Sequence, residues 1–532
     1  HALGVAAAGL TAARDADPAG PRGVGVLTGG RLTLEDAYAY AKFARAALDT
    51  NDVDMRARPH SPEEEQFLAA CVAGRGIDAS YADLEQAPAV LLAGFEPEDE
   101  SPIIFLRLRK AVRRRRMPVF SVAALASRGL VKLSGELLAT IPGEEASALT
   151  RLAAGGLGGS VSPQDRGGPG GSSPQEDTAW DRAAQVLCAP GAVILVGERL
   201  AEVPGALAAV SRLATASGAR LAWVPRRAGE RGAVEAGALP GLLPVGRPVT
   251  DLGARAEVAR TWGKSSLPTI QGRDTAGMLA AAAQGELAGL VIAGVDPADL
   301  PDPQAALSAI EAASFVVSLE LRASAVTDRA DVVFPVAAVA EKAGTFVNWE
   351  GRGGSFGAAL SVPEVRTDLY VLGAIADQMD IHLGLPDAAA ARAELAALGT
   401  WRGARPEPPS GDFGGIPSGA GIIRLATWHQ LLDSGRMQDG EPALAGTARS
   451  VVARMSAATA AGAGVADGDK VTVATDRGSL TVPAEVVPMA DHVVWLPSAG
   501  LPQGATTEHA GSTIRAELAA GHGATVTLRR PE

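Results

Sequence analysis

Cysteine is nearly missing from this sequence: Cys71 and Cys188 each stand alone, and no C-x-x-C pair occurs. Two thiols cannot supply the four thiolates that an iron-sulfur cluster normally takes. Nor can they staple so large a chain, and the low count fits a reducing cytoplasm. The seven histidines are scattered without H-x-x-x-H or H-E-x-x-H spacing, so no zinc ligand set is visible. Long apolar runs are lacking too. No stretch of about 18 residues is free of charges and turn formers, which excludes a spanning helix and direct membrane insertion.

Positive charge is also short: 48 Lys and Arg stand against 60 Asp and Glu, a formal net charge of -12. Nucleic acid is not an expected partner, because binding phosphates takes a basic face that displaces counterions. One basic cluster does occur, Arg113 to Arg116, after an apolar stretch and just before Met117-Pro118. Cations set against the dipole of a helix end account for it, and an anion or partner site is the other reading.

What is present is alternation. Val24 to Leu27 reads as a strand, Gly29-Gly30 as a turn, and Thr33 with Asp36 as the start of a helix. A second helix opens at Ser61-Pro62-Glu63-Glu64, where serine caps and proline takes the first helical position. Strands follow at Ala89 to Ala93, Pro118 to Val122, Ala192 to Gly197, Arg220 to Val224, Leu290 to Ala293, Phe315 to Ser318 and Asp331 to Phe334, with helical stretches such as Pro102 to Arg116 between them. Such alternation predicts an α/β fold of parallel sheets covered by helices on both faces. A chain of 532 residues has room for three or four domains. Gly155 to Asp177, rich in Gly, Ser, Pro and Gln, reads as a flexible insertion, and Arg402 to Gly421 as a linker. After Arg449 the strands shorten: Lys470 to Ala474, Ser479 to Val487, Val493 to Leu496 and Ala524 to Leu528 are joined by tight turns, the mark of a small β-barrel. His1 to Arg14 is an alanine-rich helical stretch with no basic region leading to a cleavage site, and reads as cut from something longer.

Four stretches carry a family resemblance. They are Thr50-Asn51-Asp52-Val53-Asp54-Met55-Arg56-Ala57-Arg58-Pro59-His60, similar to a T-N-N-x-D segment; Val90 to Pro97 and its second copy Val291 to Pro297, like a strand with a G-x-N-P turn; Glu341-Lys342-Ala343-Gly344-Thr345-Phe346-Val347-Asn348-Trp349-Glu350-Gly351-Arg352, like E-K-x-G-T-F-x-N-x-E-G-R; and Val465 to Val471 with Arg477-Gly478. Together they resemble the molybdopterin oxidoreductase superfamily, and within it the large iron-sulfur subunit of NADH:quinone oxidoreductase, respiratory complex I.

The resemblance implies two doubly wound parallel-sheet domains, one of them discontinuous, plus a C-terminal double-psi-like β-barrel. On this sequence the discontinuous domain falls at 1–55 and 250–400, the inserted domain at 56–249 with its flexible loop at 155–177, the linker at 401–429 and the barrel at 430–532. It also implies vestigial pterin-pocket candidates at Asn51, Asp54, Arg58, Asp296, Asn348 and Arg352. Departures from the pattern point to a retired site. The metal-ligating thiolate or selenolate of active members is replaced by Pro59, which offers no lone pair. Acidic Glu96 and Asp296 stand where the turns would carry asparagine, and would oppose a bound diphosphate. No catalytic residue, metal ligand or cofactor is therefore expected here.

The implied activity is that of a scaffold in a subunit whose 2Fe-2S and 4Fe-4S clusters, in a region before His1, pass electrons from NADH and flavin mononucleotide toward quinone, coupled to proton translocation. Its implied partners are the flavin-binding, small iron-sulfur and quinone-site subunits of the peripheral arm, on the cytoplasmic side of the inner membrane. The alternative is an active molybdenum or tungsten enzyme, such as a formate dehydrogenase or nitrate reductase, with Cys71 the nearest thiol. Plainer readings accompany each motif. Gly344 to Arg352 reads as a loop whose Asn348 and Arg352 satisfy buried carbonyls. His60 reads as a helix-entry residue, Cys71 and Cys188 as small buried hydrophobes, and Asp467-Gly468-Asp469 as turn chemistry.

Overall fold

Strands that are apolar on both faces must be covered from both sides. In the computed structural model, which describes residues 1–16, 20, 22–156, 174–411, 421–433, 435, 440–500 and 513–531, they are. Strands in chain order are β1 (Val24–Thr28), β2 (Val53–Asp54), β3 (Val90–Ala93), β4 (Val119–Ala123), β5 (Glu136–Ala139), β6 (Val193–Gly197), β7 (Arg220–Val224), β8 (Leu242–Leu243), β9 (Arg247–Pro248), β10 (Gly289–Ala293), β11 (Phe315–Glu320), β12 (Val332–Pro335), β13 (Gly344–Val347), β14 (Gly353–Phe356), β15 (Ile423–Trp428), β16 (Ala453–Met455), β17 (Lys470–Ala474), β18 (Ser479–Val486), β19 (Val493–Pro497) and β20 (Thr525–Arg529). Every residue of β1, β3, β6 and β10 is buried.

The chain divides into two compact units. One comprises His1–Arg58, Leu68–Ile77 and Arg227–Pro408, the other Pro59–Phe67, Asp78–Arg226 and Pro409–Glu532. The first unit holds a parallel sheet of order β12-β11-β10-β1-β2. From β1 the chain winds one way to β2, and from β10 the other way to β11 and β12. The boundary between β1 and β10 is thus a topological switch point, with a crevice outside the strand ends.

The second unit repeats this plan as β5-β4-β3-β6-β7, again all parallel, with its switch point between β3 and β6. It also contains a closed barrel, β15-β19-β16-β18-β17-β20. Two of the barrel's pairings, β15 with β19 and β16 with β18, are parallel. Along β18 exposure alternates, with Leu480, Val482 and Ala484 turned inward beside Val471, Val494 and Leu496. Each fully buried aliphatic side chain there stabilises by roughly 1.5–3 kcal/mol.

Four local expectations change. Residues 227–249, expected in the inserted segment 56–249, lie in the first unit, because the guanidinium of Arg45 donates to the carbonyls of Gly237, Leu239 and Leu242. Ile423–Trp428, read as linker, is the barrel's first strand, with Leu425, Ala426 and Trp428 buried. The stretch Gly344 to Arg352, read as a loop, is most of the antiparallel hairpin β13–β14 and its turn. Cys188 is exposed and Cys71 only half-buried, so neither is a core hydrophobe: Cys188 follows directly on the end of the helix Pro174–Leu187. The insertion expected at 155–177 falls mostly outside the described residues. Its edges, 155–156 and 174–177, belong to the helices Glu145–Gly156 and Pro174–Leu187.

Candidate functional site

At the first switch point β1 runs into Gly29-Gly30 and β10 into Gly294. The Gly29 N–H donates to the Ala293 carbonyl at 2.8 Å. A β-carbon on Gly29 would lie 2.0 Å from the Gly294 carbonyl oxygen, so only glycine lets the two turns close on each other. Gly294 itself has φ +59°. Beyond it Asp296 turns its carboxylate onto its own chain, accepting from the Ala298 N–H at 3.1 Å ahead of Pro297, as a helix cap does.

The space over this turn is filled by the protein itself. Gly229 N–H donates to the Gly30 carbonyl at 2.9 Å. A β-carbon on Gly30 would lie 2.7 Å from both Arg227 Cδ and Glu230 Cγ. Glu230, with no exposure, accepts from Arg58 Nε at 2.8 Å and lies 3.3 Å from Arg227 Nη1. Arg227 also stands 3.3 Å from Asp299 Oδ2. The second oxygen of Glu230 has no hydrogen-bond partner among the described residues. Two arginines and two carboxylates thus occupy the mouth of the crevice. Sequence pattern misses Arg227, Glu230 and Asp299, because nothing in Arg226-Arg227-Ala228-Gly229-Glu230 has a recognisable spacing; only the topology brings them to Gly30.

The residues singled out from sequence do not converge. Asn51 accepts from Arg45 Nε at 2.8 Å and donates to the carbonyls of Pro268 and Ile270, holding a loop. Asp54, at the end of β2, pairs with Arg56 at 2.9 Å and accepts from the Thr275 N–H at 3.0 Å. Of the six, Arg58 alone joins the cluster on Gly30. Asn348 shapes the β13–β14 turn, its side-chain oxygen accepting from the Arg352 N–H at 3.0 Å and its amide donating to Glu350 at 2.8 Å. The Arg352 side chain is 62% exposed, so neither residue serves the buried carbonyls expected of them. Pro59 starts a segment of the second unit, and Ser61 Oγ caps the helix Pro62–Cys71 by accepting from the Glu64 N–H at 3.2 Å.

The E-K-x-G-T-F stretch has a different task. Lys342 Nζ bridges Asp36 at 2.7 Å and Asp368 at 2.9 Å, all three side chains buried. Burial opposes the charge, yet the Asp368 and Asp36 carboxylates hold the ammonium above the ordinary lysine range. Thr345 donates its Oγ–H to Glu35 at 2.7 Å and its N–H at 2.8 Å. The motif thereby clamps the helix Leu34–Ala46.

The second unit's switch point repeats the glycine contact. A β-carbon on Gly197 would lie 2.2 Å from the Gly94 carbonyl, and Gly94 has φ +60°. Glu96, like Asp296, is a cap: it accepts from the Asp99 N–H at 2.7 Å and from Ser127 Oγ at 2.5 Å. Burial pushes its carboxyl up to about 7, against the pull of the Ser127 hydrogen bond. The two acids therefore belong to separate turns, one in each unit. Around this second crevice Arg199 pairs with Glu100 at 3.1 Å and lies over the Trp428 ring at 5.3 Å. Asp433 lies 2.9 Å from His429 Nδ1 and 3.4 Å from Arg226. Burial, then Arg226, pushes the His429 imidazole below its ordinary value.

A pterin dinucleotide at this switch point would need the volume beyond Gly29-Gly30 that Arg227 and Glu230 occupy. The residues present do not fit that group. Matches to known proteins point the same way on family. Residues 165–378 match the molybdopterin oxidoreductase family, and residues 423–516 the molydopterin dinucleotide binding domain. Over 532 residues the chain is 54% identical to the NADH-quinone oxidoreductase G subunit of Mycobacterium tuberculosis, covering 99% of this chain. The chain belongs to the family of the NADH-quinone oxidoreductase G subunit. The G subunit of Streptomyces coelicolor is 53% identical over 518 residues, or 93% of this chain. The chain spans 61% and 58% of the length of these two relatives. The acetylene hydratase of Pelobacter acetylenicus shares the fold alone, with a TM-score of 0.57 at 13% identity over 100% of this chain and 89% of that one. Its likeness shows that the chain shares that fold of α/β layers and a closed barrel.

Proposed function

We propose that this part of the G subunit is the non-catalytic scaffold of the electron-transfer subunit of NADH-quinone oxidoreductase. In this reading electrons pass from NADH and flavin through 2Fe-2S and 4Fe-4S clusters upstream of His1 to quinone, coupled to proton translocation. The two α/β units and the barrel position that cluster region and dock the flavin-binding, small iron-sulfur and quinone-site subunits, on the cytoplasmic side of the membrane. Their contribution is geometric, since the spacing of clusters and the exclusion of water around them govern rate and potential. No helix among the described residues is long and apolar enough to cross a membrane, which agrees with a peripheral place.

The observation that carries the reading is the Arg58–Glu230–Arg227 cluster seated on Gly30. A working site would keep that mouth open. Elemental analysis of the full-length protein, purified from its own host, tests it: iron is expected without molybdenum or tungsten, and either heavy metal at one atom per chain would overturn it.

A further inference from the structure

The helix Pro102–Arg115 has an outer stripe that nothing in the described structure covers. Ile103, Leu106, Arg107, Arg113 and Arg114 recur at helical spacing and are exposed, with Lys110 half-buried between them. Ile103 is 52% and Leu106 54% exposed, although Ile104, Phe105 and Leu108 of the same helix are core residues. From Arg107 to Arg116 there are seven cations and no acid. The short helix Tyr81–Gln86 lies alongside and answers them with Glu85, 2.6 Å from both Arg107 and Lys110. Arg115 donates to the Glu85 carbonyl at 2.9 Å. The side chains of Arg113, Arg114 and Arg116 have no hydrogen bond or ion pair among the described residues.

The helix dipole explains one or two cations here, since its field acts over the last turn and amounts to about half a charge. It does not explain four arginines in succession, which repel one another, nor two large apolar side chains held in water on the turns before them. From this stripe we infer a docking site for an acidic segment of another polypeptide, laid along the helix with apolar side chains on Ile103 and Leu106 and carboxylates on Arg113, Arg114 and Arg116. Charge decides the occupant. An anionic bilayer would meet the field of the whole chain, whose net charge is -12. A short acidic segment meets only the local field, because exposed charges are screened beyond about 10 Å. The pairing of guanidinium groups with carboxylates supplies direction, and the two apolar side chains supply contact area.

Photo-crosslinking in the full-length protein, in its own host, tests this. With benzoylphenylalanine at position 106, the adduct is expected on a segment of another polypeptide in which Asp and Glu outnumber Lys and Arg. The triple variant R113E/R114E/R116E is expected to cut the yield on the order of tenfold, and reversing the captured segment's acids to lysine to restore it. The neutral R113Q/R114Q/R116Q, which adds no repulsion at the helix end, is expected to give an intermediate yield, and serves should the reversed variant fold poorly. A neutral or basic captured segment, a yield indifferent to both triple variants, lipid adducts alone, or no adduct at all would each overturn the inference.

Discussion

The carbonyl oxygen of Gly294 sits 2.0 Å from where a β-carbon on Gly29 would be. Two chain segments more than two hundred and fifty positions apart in sequence are thereby held in backbone contact across the switch point. Gly29→Ala is expected to force β1 and β10 apart at their ends and to cost about 2–3 kcal/mol, as overpacking does. Gly197→Ala should act alike, since the added methyl would meet the Gly94 carbonyl oxygen at 2.2 Å. Urea unfolding checks both, and a loss below about half a kcal/mol would show that the turns yield freely.

Removing one partner of the cluster on Gly30 should be worse than removing two. Glu230→Ala leaves Arg58 and Arg227 buried without their shared carboxylate, and is expected to cost about 3–5 kcal/mol. The double change Arg58→Met with Glu230→Leu keeps volume and removes charge, with Arg227 still facing Asp299. It should recover most of the loss. Equal instability of the single and double variants would argue that packing, not pairing, dominates.

Lys342→Met is expected to destabilise by a similar amount, about 3–5 kcal/mol, because it strands Asp36 and Asp368 together in the core. Methionine fills the space, so the loss measured by denaturation reports the charge. Near-wild-type stability would mean that the carboxylates take up protons at little cost.

Glu96 gives a pH dependence of defined sign. Its folded-state pKa of about 7 exceeds the ordinary 4.5, so the folded protein holds the proton more tightly than the unfolded chain. The contribution is full below about 4.5 and is lost as pH rises toward 7. Across that window Glu96→Gln should flatten the decline in stability by up to about 3 kcal/mol. Parallel profiles for the two proteins would contradict it.

Much of the fold was legible because burial writes itself into composition. The strands Arg220–Val224 and Lys470–Ala474 have the ends read from their apolar residues and flanking turns. Val53–Asp54 was not, since two residues between Asp52 and Met55 show no period. Ile423–Trp428 follows a Pro- and Gly-rich stretch whose punctuation masks it. At the site the departures were readable and the geometry was not. Pro59, Glu96 and Asp296 declare themselves by residue type. That Arg227 and Glu230 close on Gly30 depends on contacts between distant segments that no local pattern encodes.

The barrel closes where β15 meets β20, through Ile423 opposite Val526 and Arg424 opposite Thr525, whereas β15 meets β19 along five residue pairs. That short seam joins the first and last strands of the barrel, so tension applied to its two ends loads it directly and separates them from there, like a zipper loaded at its slider. What parts first is a curled sheet still bound along its remaining ladders, and its two freed rims are the surfaces most prone to pair wrongly with a neighbouring copy.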